Sequence, residues 1–282
     1  MTPFLKMHGL GNDFVVFDAR KQALALDEAA ARAVADRRRG IGCDQVIVIR
    51  PGTGGADATM EIRNPDGSEA EQCGNATRCV ARLLMAETGK AELRIDTRGG
   101  PLVCTDAGSG MVTVDFGAAK HDWADVPLAK PMNTEALTLV LHDAEHRGTE
   151  VSGMALSMGN PHFVSFVPNA EVAPVIELGS AIERHPFFPK RTNVEFVSVL
   201  APGRLRMRVW ERGAGVTLAC GSGACAAAAA AYRRGLVGRE MDIQLDGGVL
   251  HFQIREGDEH ILMTGPSAFV FQGEIDLKAL AA

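Results

Sequence analysis

Six cysteines punctuate the 282-residue chain, and two of them stand where a thiol can do acid–base chemistry. Cys73 precedes Gly74-Asn75-Ala76-Thr77 and Cys220 precedes Gly221-Ser222-Gly223-Ala224, small residues of the kind that open a helix. Behind Cys73 the apolar Ala76, Cys79, Val80, Leu83 and Leu84 recur at helical spacing, with Gly89 as a stop. Behind Cys220 an alanine run, Ala226 to Ala231, ends at Arg233-Arg234-Gly235, a basic last turn followed by glycine. A cysteine at a helix start faces unpaired backbone N–H groups and the positive end of the dipole, which predicts a lowered thiol pKa and a favoured thiolate. Two such cysteines predict a matched acid–base pair. One thiolate removes a proton from one face of a carbon, the opposed thiol returns one to the other face, and the reverse reaction exchanges the roles. An amino-acid α-proton is very weakly acidic, so the developing carbanion needs electrostatic help. Two helix N-termini would supply it to a carboxylate, with Gly74, Asn75, Gly221 and Ser222 small enough to admit one to the backbone. Such chemistry needs no cofactor.

The other cysteines read differently. Cys79 and Cys225 lie inside the helices and read as core residues, and Cys43 and Cys104 take the same reading, as most cysteines do. A zinc site wants C-x2-4-C pairs; here the cysteine spacings are six and five with no histidine beside them, so no metal is expected. Gly221-Ser-Gly223-Ala-Cys-Ala226 satisfies G-x-G-x-x-A, but about ten loop residues separate it from the strand Leu205 to Trp210, where a dinucleotide site needs a tight turn.

The elements that must carry these groups repeat. Gly159-Asn160 follows Gly11-Asn12 by 148 positions, Asn193-Val194 follows Gln45-Val46 by 148, and Cys220 follows Cys73 by 147. Gly247-Gly248 and Gly265 follow Gly99-Gly100 and Gly117 by 148 again. A period this long means two similar domains rather than a solenoid. The expected fold is α+β: two pseudo-symmetric domains from an internal duplication, each a curved, mostly antiparallel sheet wrapped around a central helix. The expected boundaries are residues 1–117 plus 266–282 for the lobe carrying Cys73, and 118–265 for the lobe carrying Cys220. In the first half, Lys6 to Asp18 reads as a loop running into a short strand, and residues 27–38 as a helix capped by Asp27. Arg37 to Arg39 read as its solvated basic end. Residues 46–49, 59–63, 92–97 and 111–116 read as strands, the last two separated by glycine-rich turns. Phe269-Val-Phe-Gln adds a strand to either half. A net charge of −6 with no basic or aromatic stripe argues against nucleic acid. No membrane-length apolar run and no signal peptide are seen, and the thiols read as free, so the expected location is the cytoplasm.

At this point the strings resemble a known family. Those around Cys73 and Cys220, with Met7-His-Gly-Leu-Gly-Asn-Asp-Phe14, Gly42-Cys-Asp-Gln45, Gly159-Asn-Pro-His162 and Glu211-Arg-Gly-Ala-Gly215, look like the diaminopimelate epimerases over residues 6–266. The resemblance implies cofactor-independent interconversion of LL- and meso-2,6-diaminoheptanedioate in lysine and peptidoglycan synthesis, by a homodimer. It implies Cys73 and Cys220 as the base and acid, tuned by His162 and Glu211. It also implies a substrate held by Asn12, Gln45, Asn64, Asn160, Asn193, Glu211 and Arg212, with Gly74, Asn75, Gly221 and Ser222 at the reacting end. Arg212 for a far carboxylate and Glu211 near an ammonium suit a substrate with two amino-acid ends. Ala76-Thr77 stands where many relatives have Gly-Ala, and Phe163 where a cysteine is common; neither has a chemical role.

Three other readings stay open. One is another isomerase of the same fold group, such as a proline-type racemase. The second is a thiol-redox protein cycling a Cys73–Cys220 disulfide, although neither cysteine belongs to a C-x-x-C motif. The third is a binding protein that holds such a ligand without exchanging its α-proton.

Overall fold

The alternation of apolar and polar residues builds the strands, and one apolar helix in each half fills them. The computed structural model describes residues 1–142 and 148–280. The chain divides into two units, Met1–Asp115 with the chain from Thr264 onward, and Phe116–Met263.

The first unit opens with a hairpin, β1 (Thr2–Gly9) against β2 (Asn12–Asp18). Its two-residue turn, Leu10-Gly11, has φ of 54° and 85°, the left-handed pair a tight hairpin demands. The stretch read as a loop is therefore strand almost throughout, and its only irregular residues deliver Asn12. Helix α1 (Glu28–Ala35) is shorter than expected. Asp27 caps it by accepting the Ala30 N–H at 2.8 Å, and Asp36 closes it by accepting the N–H groups of Arg38 and Arg39. Arg37 to Arg39 are exposed, as a solvated helix end should be, and the Arg37 guanidinium also pairs with Asp13 and Asp44 at 2.6 and 2.7 Å. Lys6 joins the cluster through Asp13 at 2.5 Å. Burial would raise the Asp13 carboxyl, but the hydrogen bonds and charges of Arg37 and Lys6 prevail and hold it down at about 2. Strands β3 (Gln45–Pro51) and β4 (Ala58–Arg63) lead to α2 (Gly74–Thr88), which ends at Gly89 with φ 72°. Helix α2 buries Ala76, Cys79, Val80, Ala81, Leu84 and Met85. Then come β5 (Glu92–Thr97), β6 (Gly100–Asp106) and β7 (Met111–Ala118). Strand β6 occupies what read as glycine-rich turn.

The second unit contains β8 (Leu137–His142), β9 (Gly148–Ser157), β10 (Pro161–Phe166), α2's counterpart and the strands around it. A short helix α3 (Val175–Glu183) precedes β11 (Asn193–Ala201), β12 (Arg204–Glu211) and β13 (Gly215–Val216). The counterpart helix is α4 (Gly221–Arg233), followed by β14 (Glu240–Leu245), β15 (Gly248–Ile254) and β16 (His260–Pro266). Every residue of α4 from Gly223 to Ala231 is buried, and the helix touches β9, β10, β11, β12, β14 and β15. Side chains as small as alanine let that many strands close on one helix. The final strand, β17 (Ala268–Ile275), pairs with β1 in the first unit, and the last turn, α5 (Leu277–Leu280), packs on α1.

The duplication is written in the hydrogen-bond register. Phe14 pairs with Gln45 between parallel β2 and β3, and His162 with Asn193 between parallel β10 and β11, each residue 148 positions on. Thr97 faces Gly100 across β5 and β6, and Leu245 faces Gly248 across β14 and β15, again 148 on. No helix among the described residues is long and apolar enough to cross a membrane.

Candidate functional site

Each unit carries a candidate site at the start of its central helix. In the first unit Cys73 is the residue before α2, partly exposed, with extended backbone (φ −148°, ψ 106°). Its sulfur lies 3.8 Å from the side-chain oxygen of Asn12, the residue the hairpin turn delivers. Asn75, in the first turn of α2, donates to that same oxygen at 3.2 Å. Gln45 and Asn64 form a second pair, Gln45 Nε2 donating to Asn64 Oδ1 at 3.0 Å. The Gln45 oxygen is buried and accepts no hydrogen bond from the described residues. An orphaned acceptor of this kind costs free energy unless a ligand supplies the donor.

In the second unit Cys220 is the residue before α4 and is buried. Its sulfur accepts the Gly223 N–H at 3.4 Å, as a helix-capping side chain does, and lies 3.7 Å from the Ser222 hydroxyl. Ser222 Oγ accepts from Asn160 Nδ2 at 3.4 Å, and Asn160 Oδ1 lies 2.9 Å from His162 Nε2. The other nitrogen of His162 is 2.7 Å from Glu195, and both side chains are fully buried. Glu211 takes hydrogen bonds from the Thr217 hydroxyl and from the Cys220 thiol. Asn193 accepts the Arg212 N–H at 2.9 Å and donates to Pro161 O at 3.0 Å, so it ties the loop after β12 to the start of β10.

The electrostatics overturn one expectation. A helix start predicts a favoured thiolate at Cys220, but the thiol is held well above its ordinary value. Burial is the largest cause, and the carboxyls of Glu211 and Glu195 add to it; the Gly223 N–H and Ser222 oppose them and lose. Glu195 and Glu211 are themselves pushed up, chiefly by burial. Burial therefore works against the charged form of all three groups. The bystander thiols Cys43, Cys79 and Cys104 are pushed to about 12 by burial, as core residues should be.

Sequence reasoning missed four residues. Glu195 sits in the apolar run Asn193-Val-Glu-Phe-Val197, and a single acid flanked by buried residues was the available signal. Gly223 is tied to it: a Cβ there would lie 2.7 Å from Glu195 Oε1 and 3.2 Å from the Cys220 sulfur. Glu183, at the end of α3, is nearly fully buried and accepts from Trp210 Nε1 at 2.7 Å and Gly213 N at 3.0 Å, which anchors the loop bearing Glu211 and Arg212. Asp44 accepts from Asn12 Nδ2 at 3.0 Å in the first unit.

A family model described as diaminopimelate epimerase matches residues 4–121 and 154–270. The chain belongs to the diaminopimelate epimerase family. Within that family it is 54% identical over 273 residues to the diaminopimelate epimerase of Phenylobacterium zucineum, covering 97% of each chain. It is 52% identical over 279 residues to that of Acidiphilium cryptum, covering 99% of this chain and 98% of the relative. The family's fold reaches further than its sequence. A solved structure of a probable proline racemase from Agrobacterium radiobacter superposes with a TM-score of 0.71 at 18% identity, covering 98% of this chain and 93% of that one. That likeness concerns the fold alone.

The protonated state of the second half-site is directly measurable. With Cys73→Ser protein, the rate at which iodoacetamide alkylates Cys220 should be slow at neutral pH and still climb at pH 9, the ordinary value for a cysteine. A rate that has levelled off by neutral pH would show a thiolate at rest and contradict the electrostatics.

Proposed function

We propose that this chain interconverts LL- and meso-2,6-diaminoheptanedioate, the reaction of its family, by passing the α-proton between Cys73 and Cys220 with no cofactor. The observation that carries the reading is the pair of cysteines, each the residue before the buried helix of its own duplicated unit. A thiolate takes the α-proton as the C–H bond breaks, leaving the electron pair on carbon, and the other thiol gives its proton to the opposite face. The enzyme ends with the two protonation states exchanged. N–H groups at the starts of α2 and α4, with Gly74, Asn75, Gly221 and Ser222, hold the reacting carboxylate and disperse the carbanion's charge.

The buried carboxyls give His162 and Glu211 their part. Glu211 already takes the hydrogen of the Cys220 thiol, and the His162–Glu195 pair adds a second store of proton and charge behind it. Entry of an ammonium group favours the anionic state that burial opposes, so substrate itself primes this thiol. At the far end of the substrate Arg212 meets the second carboxylate. Asn12, Gln45, Asn64, Asn160 and Asn193 supply amide donors and acceptors, and the orphaned Gln45 oxygen suits an ammonium.

The same reading makes the protein a cytoplasmic homodimer, where thiols stay reduced. Support for the dimer comes from β17. Phe269, Val270 and Phe271 are 53%, 51% and 46% exposed in sequence, with Phe271 edge-on to Phe4 at 6.0 Å. Three consecutive half-exposed apolar residues on a strand suit a second copy of the chain.

Two measurements test this. In dialysed, reduced protein, Cys73→Ser and Cys220→Ser should each lower epimerisation of LL-diaminopimelate by about a thousandfold, within the usual range for losing an acid or base. Either variant keeping most of its activity would sink the two-thiol assignment. In sedimentation, Phe269→Glu should convert a dimer to a folded monomer; a variant that stays dimeric puts the interface elsewhere.

A further inference from the structure

A directional chain of side-chain amides runs behind Cys73. Arg78 Nη2 donates to Asn75 Oδ1 at 2.7 Å, Asn75 Nδ2 to Asn12 Oδ1 at 3.2 Å, and Asn12 Nδ2 to Asp44 Oδ2 at 3.0 Å. The two ends differ in kind. A guanidinium can only donate and an ionised carboxylate can only accept, whereas each amide offers one oxygen and one NH2 that a half-turn of the side chain exchanges. With a pure donor at one end and a pure acceptor at the other, only one orientation of both amides satisfies every link. That orientation turns the oxygen of Asn12, not its NH2, toward the Cys73 sulfur 3.8 Å away.

We infer that Arg78 and Asp44 are positioning residues: together they set the hydrogen-bond polarity of Asn12 and Asn75, and so present Cys73 with an acceptor for its thiol proton. The inference rests on the reading of Cys73 as a proton-transfer group, with Asn12 and Asn75 beside the substrate. An acceptor facing the sulfur stabilises S–H over S⁻; the reversed amide would do the opposite. The surrounding structure is built to keep the chain in place. Arg78 is fully buried in the second turn of α2, and its Nε donates to Pro266 O at 3.2 Å. Gly9 leaves room for the guanidinium, since a Cβ there would stand 3.1 Å from Arg78 Nη2 and from Asn75 Cβ. Asp44 is anchored in turn by Arg37 at 2.7 Å and by the Asp13 N–H at 3.1 Å. The charged cluster that joins β1, β2 and the Gly42–Gln45 loop thus reaches Cys73 through one neutral side chain, Asn12.

Either charged end alone suffices to orient both amides, because a reversed chain would point oxygen at oxygen at Asp44 or NH2 at guanidinium at Arg78. The two ends are redundant, and redundancy has a kinetic signature. Asp44→Asn and Arg78→Gln should each lower kcat/KM only a few-fold, while the double variant loses far more than the product of the two, by about tenfold or beyond, as coupled sites do. Arg78→Lys, still a pure donor, should rescue the Asp44→Asn background where Arg78→Gln does not. Effects that simply multiply, or a lysine no better than glutamine, overturn the inference. A second readout needs neither activity nor the buried substitution. In protein labelled with ¹⁵N-asparagine, Asp44→Ala should accelerate solvent exchange of the Asn12 side-chain NH2 and leave that of Asn75 protected. Unchanged exchange at Asn12 would show that its NH2 does not face Asp44, whatever the reaction catalysed.

Discussion

The structure of the second half-site depends on one constraint: a thiol at a helix start, taken out of water, beside two carboxyls. A helix N-terminus alone would make Cys220 a standing thiolate, and its sulfur does take the Gly223 N–H. Burial and the neighbouring Glu211 and Glu195 outweigh that single donor and keep the proton in place. For a reaction that moves a weakly acidic α-proton, this is a useful resting state. An anion prepared in advance would be spent on solvent and oxidants, whereas in the proposed reaction the substrate's ammonium is the charge that offsets the burial of the thiolate.

The two halves meet the same requirement with different chemistry. Both place a cysteine before the helix their sheet encloses, and both repeat strand register at 148 positions. Around Cys73 the nearest partner is a neutral amide oxygen, with charge held one and two residues away at Asp44 and Arg78. Around Cys220 the carboxyls stand next to the sulfur and histidine lies behind them. A duplicated fold with unlike surroundings suits two groups that exchange roles on opposite faces of one carbon, because substrates of opposite hand present different groups to each side.

Much of this was legible in the sequence, and the omissions have physical reasons. The alanine run after Cys220 announces a helix buried on all sides, and α4 is buried from Gly223 to Ala231. Asn12, Cys73 and Asn75 are brought together, as are Asn160, His162, Glu211, Cys220 and Ser222. Strand β6 was hidden because Gly99-Gly100-Pro101 looks like a turn and only Leu102 and Cys104 carry its buried face. The start of β1 was hidden because Lys6 interrupts its apolar pattern; its ammonium is buried against Asp13 and the Gly42 carbonyl, a contact with a residue far along the chain. Glu195 and Arg37 were hidden for the same reason. A charge in an apolar strand or at a helix end means solvent unless its partner is known, and the partners His162, Asp13 and Asp44 come only from the fold.

The central claim is that two different thiols remove and return the proton, and the position of isotope at low conversion tests it most directly. LL-diaminopimelate is turned over briefly in heavy water, and both the product and the recovered substrate are analysed for deuterium at the α-carbon. Two thiols acting on opposite faces predict a meso product carrying solvent deuterium and an LL substrate still carrying protium, since a proton returned from its own thiol goes back to the face it left. Equal deuterium in product and recovered substrate would mean that one exchangeable base serves both faces, and the paired-cysteine account would fail.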